Sequence, residues 1–426
     1  MEDIFIKNIH INKVRHLENI DIPISETERK HLILTGKNGS GKTSVLLEIK
    51  NMLNMLELME FNSFEQLKII IDYSKNELIE IGKKIDPKTK TELNNPIEWN
   101  KVDFEQIIPL HTKSIKTATS KLSKYNVDID FNSYKIQEPY NDGEFILSYF
   151  GAKRKLEINV PKGINQVQTK LHYQIDENIG KEFLQYIVNL KADRLFAREE
   201  NDDSTANYID AWFDNFEKSL QEIFDDNELK LEFDRKNYSF ILLNKGKTPS
   251  DFTTLSDGYS AILNIISELI MRMENKASKS YDIQGIVLID EIETHLHIDL
   301  QKKILPFLTN FFPKIQFIVT THSPFVLNSV NNAVIFDLEK KLLVEDLSGY
   351  SVNSIIESYF DSDDYSTIVK EKVIEYERLL TKDILNEEEE EKLFDLKEYF
   401  EDLPKMFSPE LALKINQIQL ANLAVK

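Results

Sequence analysis

The chain has 426 residues, with 52 Lys and Arg against 72 Asp and Glu, for a formal net charge of −20. It contains no cysteine, which excludes a disulfide scaffold, a thiolate metal site and a cysteine nucleophile. No apolar run approaches the roughly 18 residues of a membrane span, and the opening Met1–Lys13 lacks the apolar core of a secretion signal, so a cytoplasmic protein of two or three domains is expected. The acidic balance argues against a surface that coats nucleic acid, although a local basic patch remains compatible with it.

In chain order, Ile4, Ile6, Ile9 and Ile11 alternate imperfectly with polar residues, Ile20, Ile22 and Ile24 alternate cleanly, and His31–Thr35 is a short apolar run. The first 35 residues therefore predict strands. Glycine is scarce, with 12 in the chain, yet Gly36, Gly39 and Gly41 fall together just after that run. Thr43–Met59 then predicts a helix. Residues 60–142 read as an inserted, mainly helical lobe, with helices near 64–82 and 103–123. Phe145–Phe150 predicts a strand, 180–198 and 205–224 helices, and 229–234 and 238–243 strands. Helical spacing of Ile262, Ile265, Ile266, Leu269 and Ile270 places a helix over 257–276. Buried strands are expected at 285–290 and 316–320 around a helix at 298–312, with a last pair at 334–336 and 342–344. Residues 339–426 hold 21 Asp and Glu against 11 Lys and Arg, half of the chain's acidic excess, and read as helical.

Four segments carry candidate chemistry. Gly36-Lys-Asn-Gly-Ser-Gly41-Lys42-Thr43 fits G-x-x-x-x-G-K-[ST] between a strand and a helix. Its glycines let backbone N–H groups wrap a phosphate, and a helix N-terminus adds positive potential. Gly36, Asn38, Gly39, Ser40, Gly41, Lys42, Thr43 and Ser44 are thus the expected phosphate-binding residues, with Lys42 on the β- and γ-phosphates and Thr43 on Mg²⁺. Ile286-Val-Leu-Ile-Asp290-Glu291 is an apolar strand ending in two acids, which suits Asp290 to the Mg²⁺ shell and Glu291 to polarising a water. Leu255-Ser-Asp-Gly-Tyr259 opens a helix 34 residues before Asp290; Ser256 is a good N-cap, but Ser256 and Gly258 at a helix N-terminus can also bind a phosphate held by another subunit. Thr320-Thr-His-Ser-Pro324 closes the following strand and places His322 as a γ-phosphate sensor, where a lone histidine would otherwise be structural.

In this order the segments resemble the ABC-type ATPase head of the SMC, Rad and RecF-like group, and most of all the OLD-like and Septu-type ATPases of bacterial anti-phage defence. Ile11-Asn-Lys-Val-Arg15-His-Leu, Tyr149-Phe-Gly-Ala-Lys-Arg154, Asp290-Glu-Ile-Glu-Thr-His-Leu-His297 and Gly349–Phe360 are similar too. The resemblance covers roughly 1–58 and 145–360. It implies an α/β fold: a mixed sheet with flanking helices, a head made of 1–59 and 143–346, an inserted lobe at 60–142 and an acidic helical domain at 347–426. It also implies Asp290 as the Mg²⁺ aspartate, Glu291, Lys42 and His322 as catalytic, Ser256 and Gly258 acting in trans across an ATP-sandwiched dimer or higher oligomer, and Glu293–His297 as the D-loop. The function implied is an ATPase that controls a separately encoded nuclease, such as an HNH protein. The alternatives are a RecF-like repair ATPase that binds DNA itself, and a slow nucleotide switch with little turnover. Two departures stand out: Ile298 occupies a position usually held by proline, and no Q-loop glutamine can be placed, Lys153-Arg154 being the nearest candidate. No long heptad array interrupts the head.

Weaker features have plain alternatives. His295 and His297 could ligate a metal but fit a D-loop turn better, and Asp361, Asp363 and Asp364 resemble a nuclease triplet without the sheet such a domain needs. Lys113, Lys116, Lys121 and Lys124 could contact a phosphate backbone or form a solvated helix face. Leu393, Leu396, Phe400, Leu413, Ile415 and Ile418 could form a docking surface on the acidic tail.

Overall fold

The imperfect isoleucine alternation at the N-terminus has a structural cause. In the computed structural model, β1 (Ile6–Val14) pairs on one side with β2 (Leu17–Pro23) and on the other with a later strand, where the register slips between Ile6 and Asn8. That bulge keeps both Ile6 and Ile9 buried although they are three apart. The structure describes residues 3–58, 60–84, 101–133, 135–244, 246, 248–274, 283–344, 347–352, 354–355, 367–382, 384–402, 415 and 417.

β3 (His31–Thr35) is buried on both faces, as a central parallel strand must be, and α1 (Lys42–Glu57) follows the glycine loop. Helices α2 (Phe61–Lys84) and α3 (Lys101–Leu122) pack on each other. The expected insertion is helical only this far. Val127–Phe131 forms β4, the strand that completes the β2-β1-β4 antiparallel sheet, and the short α4 (Gln137–Asn141) leads into β5 (Phe145–Phe150).

After an irregular stretch come α5 (Phe183–Glu199) and α6 (Asp203–Phe224), the small antiparallel sheet β6 (Lys230–Asp234), β7 (Ser239–Leu243) and β8 (Ser250–Asp251), and α7 (Asp257–Met273). The chain then runs through β9 (Gln284–Ile289), α8 (Ile298–Phe311), β10 (Ile315–Thr320), α9 (Pro324–Leu327), β11 (Ala333–Asp337) and β12 (Leu342–Val344). The main sheet has the order β12-β11-β3-β10-β9-β5, parallel except for β12. This is an α/β head with a mixed sheet and flanking helices. One apolar core joins both larger sheets through α1, with Ile9, Ile11, Leu46, Leu53, Leu288 and Ile318 among its fully buried members.

Contacts divide the chain into Met1–Tyr350 and Ser351–Lys426. The second unit contains α10 (Thr367–Leu380) and α11 (Glu387–Asp402). They bury Val373, Tyr376, Leu379, Leu396, Phe400 and Ile415 together. Leu396, Phe400 and Ile415 are therefore part of this unit's own core rather than a bare docking face. Leu413, Ile418, Asp361, Asp363 and Asp364 lie outside the described residues. No helix among the described residues is long and apolar enough to cross a membrane.

Candidate nucleotide site

The sheet order brings the ends of β3, β9 and β10 side by side, and the candidate residues leave from these ends. In the loop after β3, Gly36, Gly39 and Gly41 have φ of +129°, +86° and +102°, the region that glycine enters without strain. Two of them are also crowded: a Cβ on Gly36 would lie 2.9 Å from Ser40 Oγ, and one on Gly41 3.0 Å from Leu17 Cδ1. No side chain caps α1 and no acid occupies its first turn, so its leading N–H groups are free to receive an anion. The buried Lys42 donates through Nζ to the carbonyls of Gly36 (2.8 Å) and Lys37 (3.1 Å). Burial pushes its pKa down, while the nearby carboxylates of Glu291, Glu293, Asp290 and Asp337 oppose that shift. Lys37 and Asn38 are exposed, Ser40 is buried and Ser44 is half-buried.

Asp290 follows β9 and is buried. Its Oδ1 accepts hydrogen bonds from Thr43 Oγ1 at 3.1 Å and Thr320 Oγ1 at 2.7 Å. The same Thr320 hydroxyl accepts the Glu291 N–H at 2.7 Å, so one threonine ties the two acids together. Glu291 sits at φ +46°, unusual for a non-glycine residue, and its carboxylate accepts from Thr294 Oγ1 at 3.2 Å. The hydroxyl and carboxylate of Thr43 and Asp290 fit Mg²⁺ bound with a nucleotide, since this ion keeps several waters and takes phosphate oxygens in place of a full protein cage. Among the described residues there is no group of three or more His, Cys, Asp or Glu placed to hold a metal by themselves.

Arg154, the nearest candidate for the missing Q-loop residue, turns inward while Lys153 is exposed. Its guanidinium donates to the carbonyls of Asp290 (2.8 Å), Glu291 (2.9 Å) and Ile292 (2.8 Å). Desolvation pushes its pKa down to about 10, against the pull of Glu293, Asp290 and Glu291. Glu293 has a role that sequence reasoning missed: its carboxylate accepts from His322 N at 2.5 Å and Thr321 Oγ1 at 2.8 Å, fixing the loop that carries the histidine. Burial and the Lys42 ammonium lower the pKa of His322, favouring the neutral ring.

Ser256 and Gly258 do not join this cluster within one chain. Ser256 is the exposed N-cap of α7, and its hydroxyl caps no N–H. Gly258 packs against the Glu293–His297 segment, where a Cβ would come 2.9 Å from His295 O, with Leu300 and Leu296 as its next neighbours. Ile298, in place of the expected proline, still opens α8 behind the His297 N-cap.

The chain is 27% identical over 408 residues to the Septu protein PtuA of Bacillus mycoides strain KBAB4, covering 92% of this chain and 50% of that protein. It is 28% identical over 214 residues to the Septu protein PtuA of Bacillus thuringiensis, covering 46% and 52%. The chain spans about half the length of these curated relatives. The SMC head domain from Thermotoga maritima is 14% identical, covers 78% of this chain and 94% of its own, and aligns with a TM-score of 0.33. Residues 32–328, which include Lys42, Ser256, Asp290, Glu291 and His322, match the family described as "AAA domain, putative AbiEii toxin, Type IV TA system"; the chain belongs to that family and is similar to the Septu proteins.

Proposed function

We propose that this chain binds ATP with Mg²⁺ in the Gly36–Ser44 loop, hydrolyses it within a head-to-tail dimer, and through its nucleotide state controls a separately encoded nuclease, of HNH type, in anti-phage defence. The observation that carries the ATPase reading is the Thr43–Asp290–Thr320–Glu291 chain of hydrogen bonds beside Lys42. Magnesium bound with the nucleotide neutralises phosphate charge. Lys42 adds a positive charge at the β- and γ-phosphates, and the N–H groups opening α1 orient them. Thr43 and Asp290 hold the metal's ligand shell. Glu291 accepts a proton from the attacking water and aligns it, and the neutral His322 ring reads the γ-phosphate. Ser256, with an uncommitted hydroxyl on an exposed helix N-terminus, reaches the γ-phosphate of the other subunit, with Gly258 beside it. The nuclease part of the reading rests on likeness to the Septu proteins.

Steady-state turnover tests the centre: Glu291→Gln should slow hydrolysis by about a hundredfold or more while ATP still binds. Equal rates in wild type and variant would instead favour the slow nucleotide switch. Co-purification with the product of a neighbouring gene tests the partner, and a chain that forms no complex and gives no protection from phage would sink that part.

A DNA-binding repair ATPase is the second reading, favoured by one observation. Lys113, Lys116, Lys121 and Lys124 are all exposed on or just after α3, with no acid among them. Replacing all four with Ala should reduce duplex affinity at low salt by at least about tenfold if this patch contacts DNA; unchanged binding rejects the patch.

A further inference from the structure

We infer that Arg154 is a positioning residue of the hydrolytic centre, holding the backbone turn that aims Glu291 and Asp290 at the phosphates. The inference rests on the ATPase reading above and gives a role to a residue that the sequence offers only as the nearest candidate for an unplaced Q-loop position.

Arg154 leaves the end of β5, the strand beside β9, and is 8% exposed. Every hydrogen bond its guanidinium makes goes to a carbonyl: those of Asp290, Glu291 and Ile292, and Gly151 at 3.3 Å. A buried cation with no carboxylate bound directly to it is costly, and the cost is offset by the carbonyls it holds and by the nearby charges of Glu293, Asp290 and Glu291. What it holds is the point where the chain departs from strand geometry. Asp290 N still donates to Phe150 O and Ile292 N already donates to Thr320 O, so the change of direction is confined to Glu291. There the backbone is left-handed, and the Thr294 N–H closes the turn on Glu291 O. Three successive carbonyls converge on the guanidinium, an arrangement in which their dipoles repel unless a cation sits at the focus. Removing the cation lets the turn relax toward ordinary backbone angles, which carries the Glu291 side chain with it. The peptide between Asp290 and Glu291 would tilt as well, and with it the Thr320 hydroxyl that both acids share.

The nucleotide cradle depends much less on this arginine. Gly36–Gly41 and Lys42 are fixed by their own backbone contacts, so the inference separates binding from turnover. A lysine in place of Arg154 retains a charge but not the planar fork that reaches several acceptors at once. Arg154 also lines an open cavity of about 220 Å³ with Ser148, Lys153 and Asn264, a path by which a small cation could refill the site.

The test uses the full chain as wild type, Arg154→Ala and Arg154→Lys. Three quantities are read: melting temperature, affinity for a fluorescent ATP analogue across a Mg²⁺ titration, and steady-state kinetics with and without millimolar guanidinium chloride. In Arg154→Ala, kcat should fall by about a hundredfold and the Mg²⁺ needed for half-maximal binding should rise by about tenfold. Affinity without Mg²⁺ should stay within about twofold, and guanidinium should restore part of kcat. Wild-type kcat and wild-type Mg²⁺ dependence in that variant would overturn the inference. So would a loss that guanidinium never relieves and that tracks falling affinity and melting temperature, the behaviour of an arginine that only supports the fold. If the alanine variant does not fold, Arg154→Lys decides, with lower kcat at unchanged KM expected and wild-type kcat overturning the assignment. Should the wild type itself show no turnover, the hydrolysis reading fails separately, and the Mg²⁺ dependence of binding still decides for or against Arg154.

Discussion

Gly258 shows how one residue can satisfy two demands. Its place in the Leu255–Tyr259 segment suits a phosphate held by another subunit, yet a side chain there would meet His295 O first. A methyl group there would enter at 2.9 Å and push the turn that begins at Glu291. Gly258→Ala should therefore destabilise the nucleotide-free monomer by about 1–3 kcal/mol, visible in denaturant titration. A glycine needed only for a contact across subunits would leave that titration unchanged. Lys42, Thr43, Asp290, Glu291 and His322 can be picked out from sequence because each is tied to a glycine spacing or to the end of an apolar run. Arg154 and Glu293 lie in segments the sequence singles out, but their individual contacts do not show there, because these span 136 and 29 residues and leave no local pattern.

At the level of elements, apolar periodicity gives most strands and helices of the head, and even the β1 bulge shows as a break in alternation. β4 falls inside the stretch expected to be mainly helical, although Val127, Ile129 and Phe131 alternate with two aspartates, a clear two-residue period hidden by the helical pattern before it. The stretch between β5 and α5 has no periodicity to read. It is fastened instead by Arg272 of α7, which donates to the carbonyls of Leu147, Gln174 and Glu177 and pairs with the buried Glu268. β3 carries its own pH dependence. His31, buried against Phe317, accepts the Phe317 N–H through Nδ1, and burial pushes its pKa to about 4 from 6.5. The fold holds the neutral ring, so this contribution is complete above pH 6.5, declines as pH falls, and is gone near pH 4, a change of about 3 kcal/mol at most. Denaturation of wild type and His31→Phe at several pH values should show the two curves converging on acidification; parallel curves would refute it.

For the whole molecule, half of the −20 charge lies in the last 88 residues, and the second unit pairs part of it locally, with Glu375 between Arg378 and Lys392 and Glu389 on Lys382. Among its described residues, Val373, Tyr376, Leu379, Leu396, Phe400 and Ile415 serve its own core, while Ile368, Ile374, Ile384 and Phe394 stay exposed. The proposed ATP-dependent dimer would be a property of two chains, for which the sequence offers only Ser256 and Gly258 at the start of α7. In a Glu291→Gln background, light scattering should show ATP-induced dimers that Ser256→Arg abolishes, with the nucleotide-free melting temperature unchanged. Dimers that persist would remove Ser256 from the interface. The chain leaves the head after α1 and returns at Asn126, whose carbonyl accepts the N–H groups of Asn12 and Lys13. Just inside those exits, Phe64 is sealed in the core and Lys68 grips Asp128 and Asp130. Departure and return are thus clamped independently of whatever lies farther out along α2 and α3. Natural insertions and deletions should accumulate in that outer part first, and a foreign hairpin grafted there should leave the catalytic head working, making the domain a chassis with an exchangeable arm.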